Sequence, residues 1–403
     1  MKKSLVVLAA LAACGAASAQ STVTLFGVVD AAVRSVSNKS ESATPFGPVY
    51  SVKTSRTELA NSGLSSSRLG FRGVEDLGGG LAAGFWLEAP ITNDDGATGV
   101  SAFSRRSTVS LSGAFGEVRI GRDKTATVYT EEQYDPFGDT GIGGSLIIDA
   151  NETSVSGTGF GSNSAYKRSG NMVQYFLPPK LGGFYGSVEY ALHERTRTSP
   201  DTLAGADRSS AGRHIAGRIG YANGPFDISA SYAQNDTTFT TGTGNAAVAR
   251  PGKINTFNLG STYDFGVAKV FGIVSRSRDE RDPLNIFTRT PDLDLTGYLL
   301  GVSVPIGPGV IRASYSRVKY DFNRPQQLFA VTPADPKASK LALGYVHNLS
   351  KRTALYGTIA RVSNKNGANL TVGAGPSYAA AFNSVALRPK TSTGYEFGIR
   401  HTF

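Results

Sequence analysis

The sequence is poor in the features most proteins use for stability or chemistry. Cys14 is the single cysteine of 403 residues. It lies in an apolar amino-terminal stretch, so the chain beyond it holds no internal disulfide and needs another source of stability. No apolar run reaches about 18 residues after that stretch, which excludes transmembrane helices but not insertion by alternating strands. His193, His214, His347 and His401 lie far apart without metal-ligand spacing, and no hydrolase nucleophile motif is present. No enzyme, metal or other cofactor is therefore expected. Basic residues are scattered singly rather than in blocks, which argues against nucleic acid as a partner.

What is present begins with an export signal. Lys2 and Lys3 form a basic start, Leu5 to Ala13 an apolar stretch, and Ala17-Ser18-Ala19 a small-residue cleavage site, the pattern of a secretory signal. This predicts a signal peptide over 1–19 and a mature unit over 20–403. Leu11-Ala12-Ala13-Cys14 also resembles a lipoprotein box, with cleavage before Cys14 and acylation as the alternative. Ordinary cleavage fits better, because Ala17-x-Ala19 directly precedes a strand-like run. The formal charge is +10, and loss of Lys2 and Lys3 leaves 39 basic against 31 acidic residues. A dispersed surplus of this kind suits a wet, positively biased interior.

Beyond the signal, apolar residues recur at period two. Val23, Leu25, Gly27, Val29, Ala31 and Val33 share one parity; Leu69 and Phe71 alternate with Arg68 and Arg72; Phe226, Ile228, Ala230 and Tyr232 alternate with Asp227, Ser229 and Ser231. That is the strand signature. Glycine stands at 48 of 403 and recurs at turns and alternate strand positions. Seven short turns, such as Asp76 to Gly80, Asn223-Gly224-Pro225 and Gly307-Pro308-Gly309, alternate with eight longer polar stretches near 37–64, 91–104, 125–168, 193–211, 237–252, 277–293, 322–339 and 364–390. Tight turns on one side and long loops on the other predict an all-β protein, a sixteen-stranded antiparallel transmembrane β-barrel with an aqueous lumen. Tyr395, Phe397, Ile399, His401 and Phe403 end the chain on one parity. Such a strand would be an exposed edge in a soluble fold, but in a barrel it closes the ring.

The runs Val23 to Asp30, Ser67 to Gly78, Arg105 to Leu111 and Gly394 to Phe403 closely resemble Gram-negative trimeric general porins of the beta-proteobacterial type. The likeness spans the whole mature chain. It implies a homotrimer in the cell outer membrane, surrounded by outer-membrane lipid and passing small ions and hydrophilic solutes. It also implies a third long loop folded into the barrel as a constriction, and a terminal Phe403 read by the barrel-assembly machinery.

The residues add their own support. The stretch 125–166 carries Glu131, Glu132, Asp135, Asp139, Asp149 and Glu152 and no lysine or arginine. Its Tyr129, Tyr134, Phe137, Ile142, Leu146, Ile147 and Ile148 are too apolar for a free flap and are expected on the inner wall. By parity Arg34, Arg68, Arg72, Arg106 and Arg119 point into the lumen, since charge on the lipid face costs about 2–4 kcal/mol at the midplane. Opposed to Glu131, Glu132, Asp135 and Asp139, they would make a transverse field of the kind that sets ion selectivity. The expected function is general diffusion with a preference for anions; a channel selective for one anionic metabolite, on the same barrel, is the alternative. Trp86 has inward parity, with a rim position equally open. The aromatic-free outer face of the first strand points to contact with a neighbouring protomer.

Overall fold

A computed structural model describes residues 22–43, 49–152, 160, 163, 165–194, 212–241, 248–281, 292–322 and 334–403; the expected signal peptide lies outside them. The first wall strand is β1 (Thr22–Ser42), and two shorter strands, β2 (Ser51–Asn61) and β3 (Arg68–Gly78), share the position beside it. Next come β4 (Leu81–Pro90), β5 (Arg106–Gly113), β6 (Gly116–Lys124), β7 (Arg168–Phe176) and β8 (Phe184–Ala191). They are followed by β9 (His214–Asn223), β10 (Phe226–Thr241), β11 (Val248–Asp264), β12 (Lys269–Arg281) and β13 (Leu293–Ile306). The wall ends with β14 (Gly309–Asp321), β15 (Lys337–Asn348), β16 (Thr353–Lys365) and β18 (Val385–Thr402); β17 (Ala381–Phe382) is a short ladder on β18.

Each wall strand pairs antiparallel with the next. β1 pairs with β18 from Val28 opposite Thr402 to Ser42 opposite Leu387, so the sheet closes. With β2 and β3 counted as one interrupted strand, the wall is a sixteen-stranded closed barrel. Closure gives the wall's backbone groups partners without water, which is what lets strands cross a bilayer.

The outward parity is apolar and exposed, as at Val188, Leu300, Leu341 and Phe397. It carries aromatic rings at two levels. Phe184, Phe226 and Tyr263 sit beside the tight turns, and Tyr190, Tyr232 and Phe257 stand six residues further along the same strands. Six residues span about 20 Å at a strand's rise, close to the apolar band between the two aromatic girdles of outer-membrane barrels.

Strands run further than the sequence led us to expect. Part of the polar stretch 37–64 is strand, since β1 continues to Ser42 and β2 begins at Ser51. The tips Ser37 to Ser40 and Lys53 to Arg56 are polar on both faces, so period two is invisible there although the ladder continues.

The main hydrophobic cluster lies on the inward parity. Tyr134, Phe137, Ile142, Leu146, Ile147 and Phe160, all from the long connection after β6, pack against wall residues such as Ile254, Leu295, Leu299 and Val318. That connection contains two helices, Ala126–Tyr134 and Leu146–Glu152.

Candidate functional site

The connection after β6 is fastened along the wall by side chains of inward parity. Ala126 N–H donates to Glu189 Oε1 on β8 at 2.8 Å, and Tyr134 O–H to Asp227 on β10 at 2.9 Å. Leu146 N–H reaches Ser316 on β14 at 3.3 Å, Lys340 Nζ on β15 reaches the Gly144 carbonyl at 2.5 Å, and Ile142 N–H reaches Glu396 on β18 at 3.1 Å. Three inward glycines make room for it. A side chain on Gly260 would collide with the Tyr134 ring, and one on Gly301 or Gly344 would meet Pro136 or Phe137 at 2.7 and 2.9 Å. Glycine within strands often marks such a close approach.

Fastened in this way, the segment presents two acids to an open space. Glu132 and Asp139 line a cavity of about 180 Å³ with Arg68, Arg105 and Lys124. A neighbouring cavity, also about 180 Å³, is lined by Arg68, Arg105, Arg106, Lys124 and Arg168 with only Glu88 and Asp123 as carboxylates. Arg105 pairs with Glu88 at 2.6 Å, Arg68 lies 3.8 Å from the same carboxylate, and Arg106 lies 3.4 Å from Asp123. Lys124 pairs with Glu132 across the gap. Trp86 faces inward, with Arg106 4.5 Å and Arg72 5.2 Å from its ring centroid, within the range of cation–π attraction.

Of the residues expected at the site, Arg68, Arg106, Glu132 and Asp139 come together around these two cavities. Arg119 stands beside them, paired with Glu117 at 2.8 Å and Asp123 at 3.1 Å and set over the Phe176 ring. Arg72 lies over Phe26 and Trp86. Arg34 is elsewhere, in a buried pair with Glu396 at 2.9 Å.

Glu131 and Asp135 are buried rather than presented to the cavities. Glu131 touches the Tyr166 hydroxyl, and Asp135 accepts the Phe137 N–H at 2.9 Å. Burial pushes the Glu131 carboxyl up to about 8 and that of Asp135 up to about 7. The Glu132 carboxyl is also raised, by burial and then by Asp139, against the pull of Lys124.

Sequence reasoning missed Arg105, Lys124 and Arg168. Arg105 precedes β5 and so has no parity to read. Lys124 and Arg168 are register partners at the two roots of the long connection; their position flanking a segment without cations was the available signal. A second inward segment was also missed. Leu370 and Val372, in the connection after β16, are buried against the wall, with Val372 N–H donating to Ser392 Oγ at 3.0 Å.

A closed sixteen-stranded barrel with an apolar outer belt and a charged, polar interior defines an outer-membrane pore. The sequence pattern of the Gram-negative porin family matches residues 4–367, and the chain belongs to that family. It is 41% identical over 404 residues to outer membrane porin protein 32 of Delftia acidovorans, covering 100% of both chains. It is 29% identical over 428 residues to an outer membrane porin protein of Bordetella pertussis, again covering 100% of both. Among solved structures, the anion-selective porin from Comamonas acidovorans is similar at a TM-score of 0.73 and 38% identity, covering 95% of this chain and 100% of that one. The trimer form of OmpT from Vibrio cholerae shares the fold alone, with a TM-score of 0.61 at 14% identity over 95% of this chain and 99% of that one.

Proposed function

We propose that this porin is a general-diffusion channel with a preference for small anions, and that its narrowest passage lies between the wall cluster Arg68, Arg105, Arg106, Lys124 and Arg168 and the loop acids Glu132 and Asp139. The observation that carries the reading is the composition of the two adjoining cavities. Five cations meet four carboxylates, Glu88, Asp123, Glu132 and Asp139, and burial weakens the ionisation of one of the four, Glu132. The arginines stay charged at any physiological pH. Charges facing a confined aqueous space are screened less than on an open surface, so a small local excess biases ion entry. The similar solved protein from Comamonas acidovorans is described as anion-selective, which supports the same sign here.

On this reading the chain passes solutes and catalyses nothing. It assembles as a homotrimer through the smooth outer face of β1, and its signal peptide is removed on export. The test is the reversal potential of the purified channel in a KCl gradient, together with liposome swelling in solutes of graded size and charge. Chloride should exceed potassium in permeability, and swelling rates should fall smoothly with solute size. A cation-selective channel would overturn the assignment of charges. One anionic solute entering far faster than its size allows would overturn general diffusion.

A further inference from the structure

At the ends of β14, β15 and β16 that meet long connections the outward face turns from apolar to charged, as it also does on β12, where Arg276 and Arg278 pair with Asp294. The register sets Lys319, Lys337 and Lys365 in one row across the three strands, and Arg317, Ser339 and Ser363 in the next. Like charges directly opposite on neighbouring strands destabilise a sheet. Lys319 is balanced by Asp321 at 3.3 Å and Asp335 at 3.2 Å. Among the described residues no carboxylate forms an ion pair with Arg317, Lys337 or Lys365. The adjoining sequences 323–333 and 366–384 contain no aspartate or glutamate. These three cations, with Tyr315, Ser339 and Ser363, line a cleft of about 220 Å³. Such a set of charged and neutral donors fits a phosphate.

Four residues further along the same strands and on the same face, the surface becomes an apolar groove of about 780 Å³. Leu343, Tyr345, Leu355, Gly357, Ile359 and Phe397 line it. The Phe397 ring packs onto Gly357, 2.9 Å from where a side chain there would begin, and forms part of the groove floor. The step from Ser363 to Ile359, or from Ser339 to Leu343, is about 13 Å at a strand's rise. The cleft lies at the ends of β15 and β16 that meet long connections, and the groove runs toward the tight turn after Asn348. Long loops of outer-membrane barrels lie outside and short turns face the periplasm, so the cleft belongs to the outer leaflet.

We propose that this face binds an acyl lipid with a phosphorylated headgroup from the outer leaflet, its phosphate held by Arg317, Lys337 and Lys365 and an acyl chain in the groove lined by Leu343, Ile359 and Phe397. A free phosphate would use the cleft but not the groove. A second copy of the chain offers little to the cations through β1, because Glu41, the acid on that outward parity at the long-loop end, is already paired with Lys39 at 2.8 Å and Lys390 at 3.3 Å. The lipid alone matches both parts in charge and in spacing. The proposal rests on placement in the outer membrane and is independent of the ion preference of the lumen.

The experiment uses full-length mature protein refolded without lipid in detergent, with bound lipid counted by native mass spectrometry. The probes are diphosphorylated lipid A, the same lipid stripped of its phosphates, and inorganic phosphate. The wild type should retain diphosphorylated lipid A. The triple variant R317S, K337S, K365S should bind it about tenfold more weakly or worse, because each cation beside an anionic headgroup contributes separately. Removing the lipid's phosphates should weaken it similarly. G357L, or L343W should the first fail to assemble, should weaken binding without altering charge. An unchanged reversal potential in the triple variant shows an intact pore. Equal binding by wild type and triple variant, or equal retention of the dephosphorylated lipid, would overturn the proposal. So would displacement of the lipid by inorganic phosphate, which assigns the cleft to a free anion. A triple variant that runs as a monomer where the wild type is oligomeric would also overturn it, by assigning the face to a protomer contact.

Discussion

Gly27 and Phe403 exchange both backbone hydrogen bonds, each 3.1 Å long, and the Phe403 ring occupies the space a side chain on residue 27 would need. The Arg68 carbonyl closes the other side of that space, 2.9 Å from where the Cβ would stand. The last residue is thus tied into the first strand, at the seam where the barrel closes. Deleting Phe403 removes both bonds and the ring together, and Gly27→Val forces the ring away while keeping the bonds. Both changes should lower the amount of folded barrel in the outer membrane severalfold while export to the periplasm continues. Heat-modifiable mobility on gels of fractionated cells measures this, and undiminished folded barrel after deletion would show that the seam does not depend on Phe403.

The sequence carried the wall more fully than it carried the site. Period two was visible wherever one face of a strand meets apolar surroundings, as at Phe226, Ile228, Ala230 and Tyr232. It vanished at strand tips such as Lys53 to Arg56, where both faces are polar. Parity placed Arg68 and Arg106 in the lumen, and the same logic passed over Arg105, which stands before its strand. Burial depends on the partner surface and not on a residue's own pattern. Glu131 and Asp135 look like the neighbouring Glu132 and Asp139 in sequence, yet only the second pair reaches the cavities. The inward connection after β16 lacked any signal, since Leu370 and Val372 are two apolar residues in a polar stretch.

The outer face of β1 predicts the oligomer. Val23, Val29 and Val33 are exposed, β1 itself contributes no aromatic residue on that parity, and the Phe403 ring covers Gly27 between them. An exposed apolar strip is suited to packing against a second protein surface. Val29→Asp should release folded, heat-modifiable monomers from a trimer that resists unheated detergent. Native gels and light scattering measure this. A wild type already monomeric would refute the interface.

The inner wall predicts how the loop is held. Gly301 accommodates Pro136, which would lie 2.7 Å from an added Cβ. Gly301→Leu should therefore push the segment off the wall toward the lumen and lower single-channel conductance, whereas Gly99→Ala, in a connection with open space around it, should leave conductance unchanged. Equal conductance in both variants and the wild type would mean that the segment does not narrow the pore.

The buried acids of the same segment predict a pH dependence. Burial raises Glu131 to about 8 and Asp135 to about 7, so each folded carboxyl keeps a proton that the unfolded chain has already lost. The folded state then binds more protons than the unfolded one, and stability falls as pH rises through this range. The contribution is complete below the ordinary carboxylate range and is lost as pH passes about 7 and then about 8. Thermal unfolding should therefore move to lower temperature between pH 5 and pH 9. Glu131→Gln with Asp135→Asn should flatten that dependence. A pH profile identical in wild type and double variant would show that these carboxyls are not the titrating groups.

Ion preference is the property on which the two cavities bear most directly. Arg105 and Arg106 are adjacent in sequence yet answer different acids, Glu88 at 2.6 Å and Asp123 at 3.4 Å. Replacing both by serine leaves those acids without two of their cations and turns the local excess of positive charge into a deficit. Arg72 stands further from the acids, over the Trp86 ring at 5.2 Å, so Arg72→Ser should matter less than either. Two charges facing a confined aqueous path at high effective dielectric change ion entry by about 1 kcal/mol in total, or roughly fivefold in the chloride-to-potassium permeability ratio. The ratio should fall by about that factor in the double variant and approach unity in the wild type as salt is raised toward 1 M, where the screening length shrinks to about 3 Å. Glu132→Gln should act in the opposite sense and raise the ratio, because Lys124 then loses its partner across the gap. Asp135→Asn should leave the ratio unchanged at pH 6, where that carboxyl, raised to about 7, is mostly protonated already. Reversal potentials in KCl gradients measure all four variants. If Glu132→Gln lowered the ratio, or the arginine pair proved silent, the permeation path would have to run elsewhere in the lumen.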